Sequence, residues 1–226
     1  MAKSIIRIQS RLIEVNALIV SCFLVVFMKI QTYFKNSIPP TFDWLNKPLD
    51  FSINNGLHIT TDPGTDFWQR THYGFRNDNG HCLLAERSGD FQLTTSVKFQ
   101  PQNEYDQCGL IVRIDAENWI KVSAEYINPQ LTQLGSVVTN LGYSDWATTE
   151  ISPEIQRISY RISRRGPDFL LQNSYDGKTW AQMRITHLHA APKSLQAGIY
   201  ACSPKNGRFQ CTFTHLTIDN NQWLQP

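Results

Sequence analysis

The chain has 226 residues, a formal charge of +2 and 41% hydrophobic side chains, enough for one sizeable β domain. So balanced a charge offers neither the clustered basic face that nucleic acid requires nor the like-charge block of an interaction tail. Aromatics make up 12% of the chain, six of them Trp, and such rings either fill and rim a β core or stack against a ligand.

Residues 1–38 differ in character from all that follows. Lys3, Arg7 and Arg11 precede an apolar run from Ala17 to Met28, shorter than the roughly 20 residues a spanning helix needs and closer to the core of a signal peptide. Extending the run back to Leu12 takes in Glu14 and Asn16, both costly inside a bilayer. Three readings of this leader stand: an over-long start with Met28 as the working one, a signal anchor, or a signal peptide with a poor cleavage site. The first is favoured. It makes residues 39–226 a single cytoplasmic domain, whereas the other two anchor or export it through residues 12–28, and a membrane is a partner only in that case.

From Leu45 onward, short alternating runs are punctuated by turn residues. Leu57–Thr61 follows Asn54-Asn55-Gly56, and Phe91–Phe99 alternates with Phe91, Leu93, Thr95, Val97 and Phe99 on one face. Tyr105–Tyr126 reads as two strands joined by the polar turn Asp115–Asn118. Cys108, Leu110, Val112 and Ile114 share one face with Ile120, Val122, Ala124 and Tyr126 of the second arm. The opposite face carries Arg113, Trp119, Lys121, Ser123 and Glu125. The first face is expected in a core and the second in a groove that recognises something polar. Arg157–Ser163 and Phe169–Tyr175 flank Arg164–Asp168, a hairpin signal, and Trp180–Ile185, Gly198–Ala201 and Phe209–Ile218 complete the series. This spacing predicts an antiparallel sandwich or barrel, with at most a short helical turn near residues 187–194.

Candidate chemistry concentrates in two places. Residues 61–81 form a long loop dense in binding groups, where Trp68 and Tyr73 can stack on a sugar while Asp66 and Arg70 bond its hydroxyls; the competing reading is a surface loop stapled down by its aromatics. Arg113, Lys121 and Glu125 are expected to line one wall of the groove, with Trp119 and Trp146 as further platforms, although charged strand residues also serve as salt-bridged solvent faces. Asp115 and Glu117 have the composition of a glycosidase pair, but they fall in the turn, where Arg113 would hold a neighbouring carboxylate ionised. His187 and His189 lack a third metal ligand in register. Of the five cysteines, none has zinc spacing. Cys202 and Cys211 flank the turn signal Ser203–Gly207 and are placed to meet across a hairpin, yet reduced thiols in a cytosolic setting are the expectation.

The segments TDFWQRTHYGFRNDNGH, YDQCGLIVRIDAENWIKVSAEY, GSVVTNLGYSDWAT, ISRRGPDFLLQNSYDGKTWAQMRI and AGIYACSP together resemble an uncharacterised domain family. It includes the fungal "regulation of enolase" protein and bacterial relatives in pectin-degradation gene clusters. The resemblance covers about residues 44–216 and implies an all-β, concanavalin A-like jelly roll of two antiparallel sheets. Glucanases of that superfamily carry Glu-x-Asp-x-Glu or Glu-x-Asp-x-x-Glu on a strand. Here Arg113-Ile114-Asp115-Ala116-Glu117 puts arginine at the nucleophile's place, which argues against glucanase chemistry. The expectation is a module without cofactor or metal that binds a carbohydrate or sugar derivative. The alternatives are a protein regulator of a metabolic enzyme, or a glycoside-active enzyme whose site lies outside these motifs.

Overall fold

The computed structural model describes residues 30–32, 34 and 36–223. One sheet runs β15 (Ala181–His187), β14 (Asp168–Ser174), β13 (Arg157–Arg165), β8 (Phe91–Gln100), β17 (Gln210–Asp219), β4 (Leu57–Thr60), β3 (Asp50–Ile53), and β1 (Ile30–Thr32) also pairs with β17. The second runs β12 (Tyr143–Ile151), β11 (Leu131–Asn140), β10 (Asn118–Asn128), β9 (Gln107–Asp115), β16 (Ser194–Cys202), β7 (His81–Ser88), β2 (Asp43–Leu45). A separate hairpin pairs β5 (Phe67–Gln69) with β6 (Arg76–Asp78). Every strand pairing is antiparallel.

The strand alternation explains this architecture. Leu110 and Val112 of β9 meet Val122 and Ile120 of β10 in register, and all four are fully buried against Leu93, Val97, Ile162 and Phe213 of the facing sheet. The antiparallel sandwich expected from the sequence is therefore the fold adopted. Strands β1, β2, β3, β5, β6, β7, β11 and β12 add to those read from the sequence. Residues 187–194 hold a strand end and turns rather than helix.

Three expectations need correction or lie out of reach. The hairpin joining Cys202 to Cys211 does not exist, because β16 and β17 belong to different sheets; both thiols are free and buried. Residues 61–81 are not a bare loop, since they contain the β5–β6 hairpin. The leader up to Lys29 lies outside the described residues. After it, β1 pairs with β17 and Phe34 is fully buried.

Candidate functional site

The outer face of the second sheet carries a second hydrophobic cluster. Phe67 and Trp68 of the β5–β6 hairpin pack there on Cys82, Leu84, Ile111, Trp119, Val137, Tyr200 and Cys202. The hairpin thus acts as a flap, and the face expected to be an open groove is largely covered. Glycine at position 80 lets the flap sit down: a Cβ there would come within 2.3 Å of the Phe67 ring and 2.5 Å of Cys202 Sγ. Polar contacts finish the attachment. Arg113 forms a two-pronged ion pair with Asp78, at 2.9 and 2.8 Å. Glu117 accepts from Arg70 at 3.2 Å and from Arg76 at 2.8 Å, and the Gln69 amide donates to Ser144 Oγ.

Where the flap ends, a pocket of about 410 Å³ remains. Its floor follows from cross-strand register. Lys121 lies between Ile111 and Val137, with Trp146 beyond; Ser123 lies between Gly109 and Gly135; Glu125 lies between Gln107 and Gln133. The middle row has almost no side chains, so a hollow opens between the lysine row and the glutamate row. A Cβ on Gly109 would stand 1.9 Å from the Val122 carbonyl oxygen, and one on Gly135 would stand 3.2 Å from Trp146 Nε1. Trp68, Tyr73, Phe75 and Asn77 of the flap, Trp146 of β12, and Tyr105, Pro204 and Lys205 of the adjoining loops form the walls. Tyr73 stacks on Phe75 with centroids 5.6 Å apart and meets Trp68 edge-on at 5.5 Å.

The charges in the floor are nearly sealed from water. Lys121 is 2% and Glu125 5% exposed. Lys121 donates to Gln107 Oε1 at 2.6 Å, and its Nζ is 3.7 Å from Asp66 Oδ1. Tyr200 donates to the same Gln107 oxygen. Burial alone would lower the lysine's pKa, but Asp66 and Glu125 outweigh it and hold the ammonium above its ordinary value. For Glu125 the balance tips the other way. Desolvation overcomes the attraction of Lys121 and pushes the carboxyl up to about 7. Two polar atoms beside the floor, Trp146 Nε1 and Gln133 Oε1, are buried and have no hydrogen-bond partner. A pocket combining apolar walls with a few convergent polar groups suits a small polar ligand.

Of the residues singled out in the sequence, Asp66, Trp68, Tyr73, Lys121, Glu125 and Trp146 converge on this pocket. Three do not. Arg113 is turned toward Asp78 and fixes the flap instead of a pocket wall. Arg70 donates to Glu117 and to the Gly142 carbonyl, with its guanidinium near the Tyr143 ring. Trp119 is fully buried, with its Nε1 donating to Ala116. Asp115 and Glu117 sit in the turn as expected; Asp115 accepts from the Glu117 amide, and Glu117 accepts from Arg70 and Arg76. His187 Nδ1 is hydrogen-bonded to Asp168 Oδ1 at 2.7 Å, and among the described residues no three His, Cys, Asp or Glu converge on a metal position. Gln107 was missed, although counting back in twos from Arg113 along β9 reaches it. Tyr105, Pro204 and Lys205 lie in loops, where alternation gives no signal.

Two antiparallel sheets packed face to face, with a flap-capped pocket on one outer face, define an all-β sandwich domain. The chain belongs to the family described as "Protein of unknown function (DUF1349)", whose model matches residues 44–221. It is 35% identical over 176 residues to "Regulation of enolase protein 1" of Saccharomyces cerevisiae, covering 77% of this chain and 87% of that relative. A functionally unknown protein of known structure from Saccharomyces cerevisiae superposes with a TM-score of 0.75 at 32% identity, covering 80% of this chain and 96% of its own. The GH43 protein BlXynB of Bacillus licheniformis has a TM-score of 0.68 at 14% identity, over 84% of this chain and 39% of its own; that likeness speaks for the fold alone. The fungal relationship expected from the sequence motifs is thereby shown.

Proposed function

We propose that this protein is a non-catalytic binding module whose pocket takes a carbohydrate or sugar derivative. The observation that carries the reading is the union of a polar floor, buried Lys121 and Glu125 with half-buried Asp66 of the flap beside them, and aromatic walls from Trp68, Tyr73 and Trp146. Sugars present hydroxyls on their edges and C–H groups on their faces, and this pocket offers partners for both. A volume of about 410 Å³, low in the usual range of about 300–1,000 Å³, fits a terminal unit better than an extended polymer.

A glycan array probed with the full chain, followed by calorimetric titration of the hits, tests the reading. Tyr73 is 52% exposed, so Tyr73→Ala should leave the melting temperature unchanged while weakening binding about tenfold, or about 1.4 kcal/mol. A silent array, or a Tyr73→Ala protein that binds as well as the parent, ends the assignment.

A second reading, regulation of a metabolic enzyme through protein contact, draws on the name of the yeast relative and on one feature of the surface. Tyr73, Phe75, Leu141 and Tyr143 are exposed apolar side chains, and the flap's Arg70 links the two pairs by reaching both the Gly142 carbonyl and the Tyr143 ring. Sedimentation of the chain mixed with enolase from the same cells distinguishes the readings: co-migration abolished by Leu141→Glu supports the second.

A further inference from the structure

Resting on that reading, we propose that the pocket selects an uncharged sugar presenting two adjacent hydroxyls and rejects the corresponding uronic acid. Several of the pocket's donors and acceptors are already engaged within the protein. Gln107 is largely engaged: its carbonyl oxygen accepts from Lys121 and Tyr200, and one of its two amide hydrogens goes to the Tyr105 carbonyl. It positions the lysine rather than reading a ligand. Glu125 is the open acceptor. A carboxylate offers two oxygens and about four lone-pair directions, and within the protein Ser123 is the hydrogen-bond partner identified for it. Neighbouring hydroxyls on a sugar ring match a two-oxygen acceptor, much as a guanidinium fork does. Lys121 has three donors, one given to Gln107 and one directed at Asp66, which leaves one for a sugar oxygen. Trp146 Nε1 is a further donor with no partner.

The charge count then decides which sugars fit. Two carboxyls, Asp66 and Glu125, and two ammoniums, Lys121 and Lys205, line the pocket, and Lys121 is the one buried in its floor. Lys205 at the rim is 3.1 Å from Glu104. The nearby arginines are also committed, Arg113 to Asp78 and both Arg70 and Arg76 to Glu117. A uronate would bring a third carboxylate, while the buried ammonium, Lys121, already faces two. Burial has already pushed Glu125 up to about 7, so a uronate could enter only as that carboxyl takes up a proton, at a cost that grows as the pH rises above 7. Aromatic walls carry no charge and accept either sugar, so the selectivity must lie in the floor.

The test is calorimetric titration of the full chain at pH 8 with matched pairs: D-galactose against D-galacturonate, and D-glucose against D-glucuronate. The neutral member should bind at least tenfold tighter in whichever pair binds. The double variant Asp66→Asn, Glu125→Gln should shrink that ratio to threefold or less, and its melting curve confirms folding. The single Glu125→Gln variant should weaken the neutral sugar at least tenfold. Uronates binding as tightly as neutral sugars would overturn the inference and leave the carbohydrate reading standing. A ratio unchanged in the double variant would overturn it too, since the carboxyls would not be the source. No binding of any of the four sugars also overturns it, and if the glycan array is silent as well the broader reading falls separately.

Discussion

Glu125 carries a cost that its position makes unavoidable. Its ordinary pKa is 4.5 and burial in the floor raises it to about 7. Between those values the folded chain binds more protons than the unfolded one, so folding is favoured by acid. That contribution is present in full below about pH 4.5 and is lost as the pH rises through 7. Above pH 7 the fold must hold a buried carboxylate, and each tenfold weakening of its ionisation costs roughly 1.4 kcal/mol. Glu125→Gln keeps the shape and removes the charge. It should therefore melt higher than the parent at pH 8, and the gap should close by pH 5. An equal gap at both values would mean that folding leaves the carboxyl's pKa unshifted, and a variant melting below the parent at pH 8 would mean that Lys121, not desolvation, governs the site. Keeping a destabilising carboxylate in a polar hollow is the trade-off expected of a binding group.

Arg113 teaches a different lesson at the same scale. As a groove residue it would have been dispensable for folding. As found, it is 8% exposed beside an Asp78 that is 31% exposed. Burial raises the Asp78 pKa even against the pull of Arg113. Breaking a fully buried pair costs about 3–5 kcal/mol; with Asp78 partly wet, Arg113→Ala should cost about 2–3 kcal/mol. Glu117→Ala removes two ion pairs, but all three side chains are a third to a half exposed, so it should cost under about 1 kcal/mol. Urea midpoints of the two variants check the contrast. Equal shifts would show that the flap is held by its charges collectively, not by the one buried pair.

At the scale of elements, the flap explains what could and could not be read from the sequence. The alternation of β9 and β10 revealed both the core face and the composition of the opposite face, because period two holds wherever a strand is regular. It could not reveal that the opposite face would also be covered. That cover comes from Phe67 and Trp68, two adjacent residues that are both buried, in a hairpin too short to show alternation. The loop aromatics were recognised as either ligand platforms or staples, and they divide: Phe67 staples, Tyr73 is exposed, and Trp68 does both. Gly80→Val should separate these roles, because a branched side chain cannot fit between Phe67 and Cys202. Hydrogen exchange should then accelerate at residues 67–78 while the amides of β9 and β10 stay protected. Loss of protection throughout would show that flap and sandwich form one cooperative unit.

For the whole molecule, the order of strands in space makes the end of the chain central. β17 is the last strand described, yet it pairs with β8 on one side and with β4 and β1 on the other. Phe213, Leu216 and Ile218 point from it into the main core and are fully buried. Without β17, the first sheet divides into a β15–β14–β13–β8 half and a β4–β3 remnant, with unpaired edges on both. The three buried side chains alone represent about 5–9 kcal/mol of apolar transfer at about 1.5–3 kcal/mol each, comparable with the whole stability of a typical domain at about 5–15 kcal/mol. A chain ending at Arg208 should therefore fail to fold, with a disordered far-ultraviolet circular dichroism spectrum and no cooperative melt. A chain ending at Asn220 should fold: it retains β17 complete and loses the Trp223 contact to Arg165, a surface stacking interaction of about 0.5–1 kcal/mol. Cooperative melting of the chain ending at Arg208 would refute the central role assigned to β17. Failure of the chain ending at Asn220 would place essential packing beyond the strand.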